Sequence, residues 1–115
     1  MKVLGVFDPA NEIGEVTAGS VIFEVGSTGE EMFGIIQGSV ELRMPDGRVF
    51  ELGPDESFGE MAIVDSSPRS GTAVAIEDTM LAVINRSRFL FVVGETPTFA
   101  LQVMTNMAEY LRQAH

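Results

Sequence analysis

At 115 residues, 45% of them hydrophobic and 21% charged, the chain has the size and composition of one globular domain, residues 1–115, and not of a string of domains. Its 17 acidic against 7 basic residues leave a net charge of −10, a surface that repels phosphate backbones and anionic headgroups, so neither nucleic acid nor a membrane is an expected partner. Without cysteine, and with His115 the single histidine, the chain cannot build disulfides, thiolate zinc sites or imidazole metal sites.

Residues 1–12 carry no readable pattern. Met1–Phe7 is too short and too weakly basic for a signal peptide, and no apolar run reaches the roughly 18 residues of a membrane span, so a cytoplasmic protein is expected. From Thr17 to about Asn85 short apolar runs alternate with turn residues, the mark of an all-β barrel or sandwich. Val21, Phe23 and Val25 alternate up to Gly26, and Val40, Leu42 and Met44 alternate with Glu41 and Arg43, which predicts strands. Gly38-Ser39 suits a two-residue hairpin between Ile35–Gln37 and Val40–Leu42, because glycine accepts the positive φ of such turns. Pro45-Asp46-Gly47 predicts a second hairpin ahead of Val49–Leu52. Thr72–Ile76 and Met80–Ile84, rich in β-branched residues, predict a third strand pair across Glu77-Asp78-Thr79.

Helical spacing begins only after Asn85. Ser87 is placed to cap a short helix running through Val93 and stopping at Gly94, and Thr96-Pro97 reads as an N-cap followed by proline at the first helical position. Phe99, Ala100, Val103, Met104, Met107, Tyr110, Leu111 and Ala114 then recur at three- and four-residue intervals, an apolar face that must dock on something. The flanking helices thus occupy about residues 86–113.

The segment Ser57–Thr72 interrupts the strands with a short helical turn and a polar loop. Ser57 and Glu60 have S-x-x-E spacing, which alone reads as a capping box, each side chain accepting the other's backbone N–H. Arg69, isolated between Arg48 and Arg86, is either a solvated loop residue pairing with Asp65 or the guanidinium fork of an anion site. In the second reading the N–H groups of Ser70 and Gly71 and the helix start at Gly59 complete that site, and Glu60 is left free to accept from a sugar hydroxyl.

Phe58-Gly59-Glu60-Met61-Ala62 followed by Pro68-Arg69-Ser70-Gly71-Thr72 resembles the phosphate-binding cassette of the cyclic-nucleotide-binding domain family, which includes the sensory domains of catabolite activator proteins, kinase regulatory subunits and gated channels. Ala18–Gly26 and Met32–Val40 are similar to strands of the same family, so the resemblance covers about Thr17 to Leu111. It implies an all-β jelly-roll barrel (a cupin-like double-stranded β-helix) with flanking C-terminal α-helices. It also implies a non-enzymatic regulatory module that binds cAMP or cGMP as ligand, uses no cofactor or metal, and acts on a separate effector protein.

Residue by residue, the resemblance implies that Glu60 holds the ribose 2′-hydroxyl, that Arg69 holds the cyclic phosphate, and that Ser70 and Gly71 add donors. Gly59, Met61 and Ala62 line the cassette, Leu42 belongs to the apolar wall for the base, and Tyr110 falls where relatives carry a capping side chain on a lid helix. Tyr110 also reads as an amphipathic core aromatic. The chain departs from the pattern at Gly71, where alanine is usual, at Pro54-Asp55-Glu56, where Pro-Gly-Asp is common, and at Gly34, which suggests a bulge. A metal-dependent jelly-roll enzyme lacks its histidines here, and a degenerate domain serving only protein contacts is expected to have lost Glu60 or Arg69.

Overall fold

The computed structural model describes residues 13–113, without the side chains of Tyr110, Leu111 and Gln113. Eight strands come first: β1 (Ile13–Val16), β2 (Val21–Phe23), β3 (Glu31–Gln37), β4 (Val40–Arg43), β5 (Val49–Leu52), β6 (Ser57–Phe58), β7 (Thr72–Ala75) and β8 (Thr79–Asn85). One helical turn, α1 (Met61–Val64), separates β6 from β7, and α2 (Arg86–Glu95) and α3 (Thr98–Gln113) follow the last strand. The strands form two antiparallel four-stranded sheets, ordered β1-β8-β3-β6 and β2-β7-β4-β5, which is the jelly-roll architecture with C-terminal helices. The barrel begins at Ile13, four residues before the expected Thr17.

Of the three expected hairpins only β4–β5 exists, with Val40 opposite Leu52 and Arg43 opposite Val49. Consecutive strands β3 and β4, and likewise β7 and β8, lie in different sheets. The reason is visible where the two crossings meet. Gly38 has φ 99°, and a Cβ there would lie 2.7 Å from both the Asp78 carbonyl oxygen and the Thr79 Cα. Ser39 N–H donates to Thr79 Oγ1 at 3.3 Å and Ile76 N–H to the Ser39 carbonyl at 2.9 Å. The two turns are therefore stapled to each other and act as sheet corners.

β4 and β5 place Val40, Leu42, Phe50 and Leu52 inward and Glu41, Arg43, Val49 and Glu51 outward, as their alternation predicts. With Ile35, Phe58, Ala73 and Leu81 they form the core between the sheets. On the other face of β3 and β8, Met32, Ala82 and Ile84 pack with Ile63, Val92, Phe99 and Val103. The helices thus cover one sheet, so β3 and β8 are buried on both sides.

Several local expectations change. Val21 and Val25 are exposed: the register of β2 shifts between Val21 and Phe23, and the strand ends at Phe23, before Val25. The irregularity in β3 lies between Ile35 and Gln37, whereas Gly34 stays in register with Ala82. Asn85, not Ser87, caps α2, its side chain accepting Arg88 N–H at 2.8 Å, and the helix runs past Gly94 to Glu95. On α3, Met104 points to solvent and Asn106 is buried in the docking face instead.

Candidate functional site

β6 ends at Phe58, and the chain turns at Gly59 with φ 80°. A Cβ there would also approach Arg69 Nη1 to 2.9 Å, so the backbone conformation favours glycine and a side chain would displace the guanidinium. α1 then runs for a single turn and ends at Asp65, whose carboxylate accepts Ser67 N–H at 3.0 Å. Hydrogen bonding from the Ser67 side chain, then from its N–H, holds Asp65 below the usual carboxylate range. Asp65 thus organises its own turn and makes no ion pair with Arg69 among the described residues. The Pro54-Asp55-Glu56 turn keeps its form without glycine: Asp55 adopts φ 71°, and Ile35 N–H donates to the Glu56 carbonyl at 2.9 Å.

Arg69 is buried, 8% exposed. Its backbone N–H donates to the Ser27 carbonyl and its carbonyl accepts Gly26 N–H. Its guanidinium lies 4.3 Å above the Phe23 ring centroid and donates from Nη1 to the Gly59 carbonyl at 3.2 Å. Its Nε is buried without a hydrogen-bond partner. Burial lowers its affinity for the proton below the ordinary arginine range, and the charge of Glu31 partly restores it. Gly29 closes the other side of this cradle, where a Cβ would meet Nη2 and lie 2.9 Å from Cζ.

Glu60 is also buried, 3% exposed. Burial pushes its carboxyl above the ordinary range, opposed by its own backbone N–H and by the Ser57 hydroxyl. The capping-box geometry does not form: the Glu60 backbone occupies the N-cap position with helical φ and ψ and no side-chain cap. Ser57 Oγ instead donates to Glu60 Oε1 at 2.9 Å.

Leu42, Gly59, Glu60, Met61, Ala62, Arg69 and Ser70 line one cavity of about 370 Å³, within the range of small-molecule sites. Gly71 does not line it. It is packed beneath, where a Cβ would lie 2.9 Å from both the Arg43 carbonyl oxygen and Met44 Sδ, so its lack of a side chain permits the cassette to approach β4. The expectation for Tyr110 lies outside the described residues. Missing from the sequence reading were Phe23, Met44, Arg48, Phe50 and Met107 on the cavity wall. Met44 and Phe50 share the inward alternation of Leu42, and Met107 belongs to the apolar spacing of α3, so both signals were available.

Residues 13–96 match the profile of the family described as Cyclic nucleotide-binding domain. The chain belongs to this family. It is 36% identical over 85 residues to a cyclic nucleotide-gated potassium channel of Mesorhizobium japonicum, covering 74% of this chain and 23% of the channel. It is 34% identical over 101 residues to the cyclic AMP receptor protein of Thermus thermophilus, covering 84% of this chain and 47% of that protein. The chain thus spans less than half the length of either curated relative.

Among solved structures, the catabolite activator protein of Thermus thermophilus superposes with a TM-score of 0.78 at 32% identity, over 97% of this chain and 53% of that one. The bacterial structure reported as "A cyclic-GMP-dependent signalling pathway regulates bacterial phytopathogenesis" gives a TM-score of 0.82 at 28% identity, over 95% and 91%. In this cyclic nucleotide-binding domain the segment 57–72 brings the buried residues Glu60 and Arg69 to the wall of one cavity.

Proposed function

We propose that the domain is a sensor that binds cAMP or cGMP and passes the occupancy of its cavity to a separate effector protein. One observation carries this reading: in a domain of this family, two buried charged residues, Arg69 with an unpartnered Nε and Glu60, line the same largely apolar cavity. A cyclic nucleotide has matching parts. Its phosphate carries one negative charge and planar sets of acceptor oxygens suited to the Arg69 fork. Its ribose offers a hydroxyl to Glu60, and its base offers an apolar face to Leu42, Phe50 and Met107, while Ser70 lies on the same wall as a further donor.

Relatives described as a cyclic AMP receptor and as a cyclic nucleotide-gated channel support a regulatory module and not an enzyme. The reading calls for no metal or cofactor, and it assigns the domain to the cytoplasm. No helix of the described residues is long and apolar enough to cross a membrane.

Binding becomes a signal only if the ligand prefers one arrangement of the domain over another. Met107 lines the cavity from α3, so closure of that helix over the base would supply the preference. Titration calorimetry with cAMP, cGMP and the linear 5′-monophosphates tests the reading. A cyclic nucleotide is expected to bind at micromolar or lower concentration and more tightly than its linear counterpart. Absence of binding by either cyclic nucleotide up to about 1 mM, in folded protein, would overturn it.

A further inference from the structure

The hydrogen bond that reaches Glu60 does not end on the cassette. Ser57 Oγ donates to Glu60 Oε1 at 2.9 Å, and Asn106 Nδ2, from the middle of α3, donates to Ser57 Oγ at 2.7 Å. Ser57, Glu60 and Asn106 are 0%, 3% and 9% exposed, and they come from β6, the turn before α1 and α3. Asn106 occupies the docking face of α3 that Phe99 and Val103 otherwise make apolar. A buried amide at such a position is costly unless it is bonded, and its bond here runs to a residue 49 positions away.

The direction of the chain is fixed by its first member. An amide NH2 group only donates, so the Ser57 oxygen accepts, and the single Ser57 proton is turned onto the carboxylate. One Glu60 oxygen is thereby held from the α3 side. Such a chain polarises its members, each bond strengthening the next.

We infer that Asn106 is a positioning residue of the sugar subsite, acting through Ser57 to orient the Glu60 carboxylate, so that α3 and the hydroxyl-bearing part of the ligand are energetically coupled. The inference rests on the proposed role of Glu60 toward a ribose hydroxyl. Its consequence is reciprocal: if α3 docked through Asn106 improves hydroxyl binding, hydroxyl binding holds α3 docked by the same factor. The Ser57 hydroxyl also opposes the effect of burial on the Glu60 carboxyl, which favours the ionised form that a hydroxyl donor needs.

The test compares a cyclic nucleotide with its 2′-deoxy analogue by titration calorimetry on the parent, Ser57→Ala, Asn106→Ala and the double variant. The parent is expected to prefer the ribose form. Each single variant should cut that preference roughly three- to tenfold, the worth of one positioning hydrogen bond. The double variant should lose no more than Ser57→Ala alone, because Asn106 acts through Ser57. Ser57→Ala is a small truncation in β6 and carries the test even if Asn106→Ala fails to fold. Hydrogen exchange supplies a second readout: the ribose ligand, more than the deoxy ligand, should slow exchange over residues 99–108 of the parent, and Ser57→Ala should abolish the difference.

Variants that weaken both ligands equally and leave the preference intact would overturn the inference, leaving Asn106 a packing residue. A parent that binds both forms equally would overturn the role of Glu60 and the inference with it. A parent that binds neither would overturn the proposed function itself.

Discussion

Replacing Arg69 by alanine separates affinity from folding, because the two effects of its burial differ in sign. In the free domain the guanidinium gains from the Phe23 ring 4.3 Å away, worth about 0.5 to 2 kcal/mol, and from its Nη1 hydrogen bond to the Gly59 carbonyl at 3.2 Å, worth about 1.5 to 3 kcal/mol. Against this stands a buried Nε with no partner, a penalty of about 1 to 3 kcal/mol. The penalty offsets a large part of these gains and leaves a net contribution of about 1 to 2 kcal/mol, so Arg69→Ala should stay folded and melt about 5 to 10 °C below the parent. In the complex the variant leaves a phosphate charge desolvated without its fork. Loss of a buried charge partner costs about 2 to 5 kcal/mol, which is roughly a 30- to 5,000-fold rise in Kd. Calorimetric titration with both cyclic nucleotides, paired with thermal denaturation of each variant, measures the two quantities separately. Arg69→Lys should fall between, keeping the charge but not the planar pair of donors. A well-folded Arg69→Ala protein that binds within about threefold of the parent would refute the assignment of the phosphate to this side chain.

Glu60→Gln should weaken ribose binding and yet stabilise the ligand-free domain near neutral pH. Burial raises the folded carboxyl above its ordinary value of 4.5, so the folded state holds the proton more tightly than the unfolded chain, and the parent loses stability as pH climbs from the unfolded value through the folded one. Denaturant titrations at about pH 4 and about pH 7 should show the variant gaining on the parent as pH rises; an equal gap at both would contradict the direction. Gly29→Ala should lower affinity about tenfold with little change in melting temperature, because the new methyl meets the far end of the flexible Arg69 side chain and not backbone. Unchanged affinity there would show that the cradle does not fix the guanidinium. Met107→Ala should weaken binding several-fold, and saturating cyclic nucleotide should slow amide exchange over residues 59–71 and 108–112; protection confined to the first segment would make α3 a static part of the core.

What the sequence made legible were the features that nearest neighbours determine. Val40 and Leu42 face inward because alternation is local, and Gly59 to Ala62 with Arg69 could be grouped because they are close in the chain. Which strands pair is not local. Gly38-Ser39 has the chemistry of a hairpin turn, but its contacts with Asp78 and Thr79, forty residues away, make it a corner between sheets. β1 was missed because Ile13-Gly14-Glu15-Val16 carries only two apolar residues and pairs with β8 alone.

The face of α3 was misjudged by one step of helical arithmetic. At about 100° per residue, Asn106 lies only about 20° from Phe99 around the axis, whereas Met104 lies about 140° away. The geometry therefore favoured a polar residue at the centre of the stripe over an apolar one at its edge. Gly29, which packs against Arg69, and Asn106, which bonds Ser57, are distant in the chain from the segment 57–72, and neither has a chemistry that marks it in isolation.

The two buried charged groups are also kept apart. Among the described residues no ion pair joins Arg69 to Glu60; the acidic charge that acts on Arg69 is Glu31, and the donors on Glu60 are Ser57 and its own backbone. Had the two paired with each other across the cavity, a ligand would have to break a desolvated ion pair before binding, at a cost comparable to what each contact returns. Held separately, Arg69 keeps its Nε without a partner, and the Glu60 carboxylate is not consumed by the cation. On the proposed function, the desolvation of both groups would be relieved by one ligand that brings an anion to the first and a hydroxyl to the second. On that proposal, a ligand carrying only one of the two groups would not reach the full affinity of the site. Such a site would also tie the stabilisation of the domain to a molecule in which phosphate and hydroxyl are held at a fixed separation, as they are on a cyclised ribose.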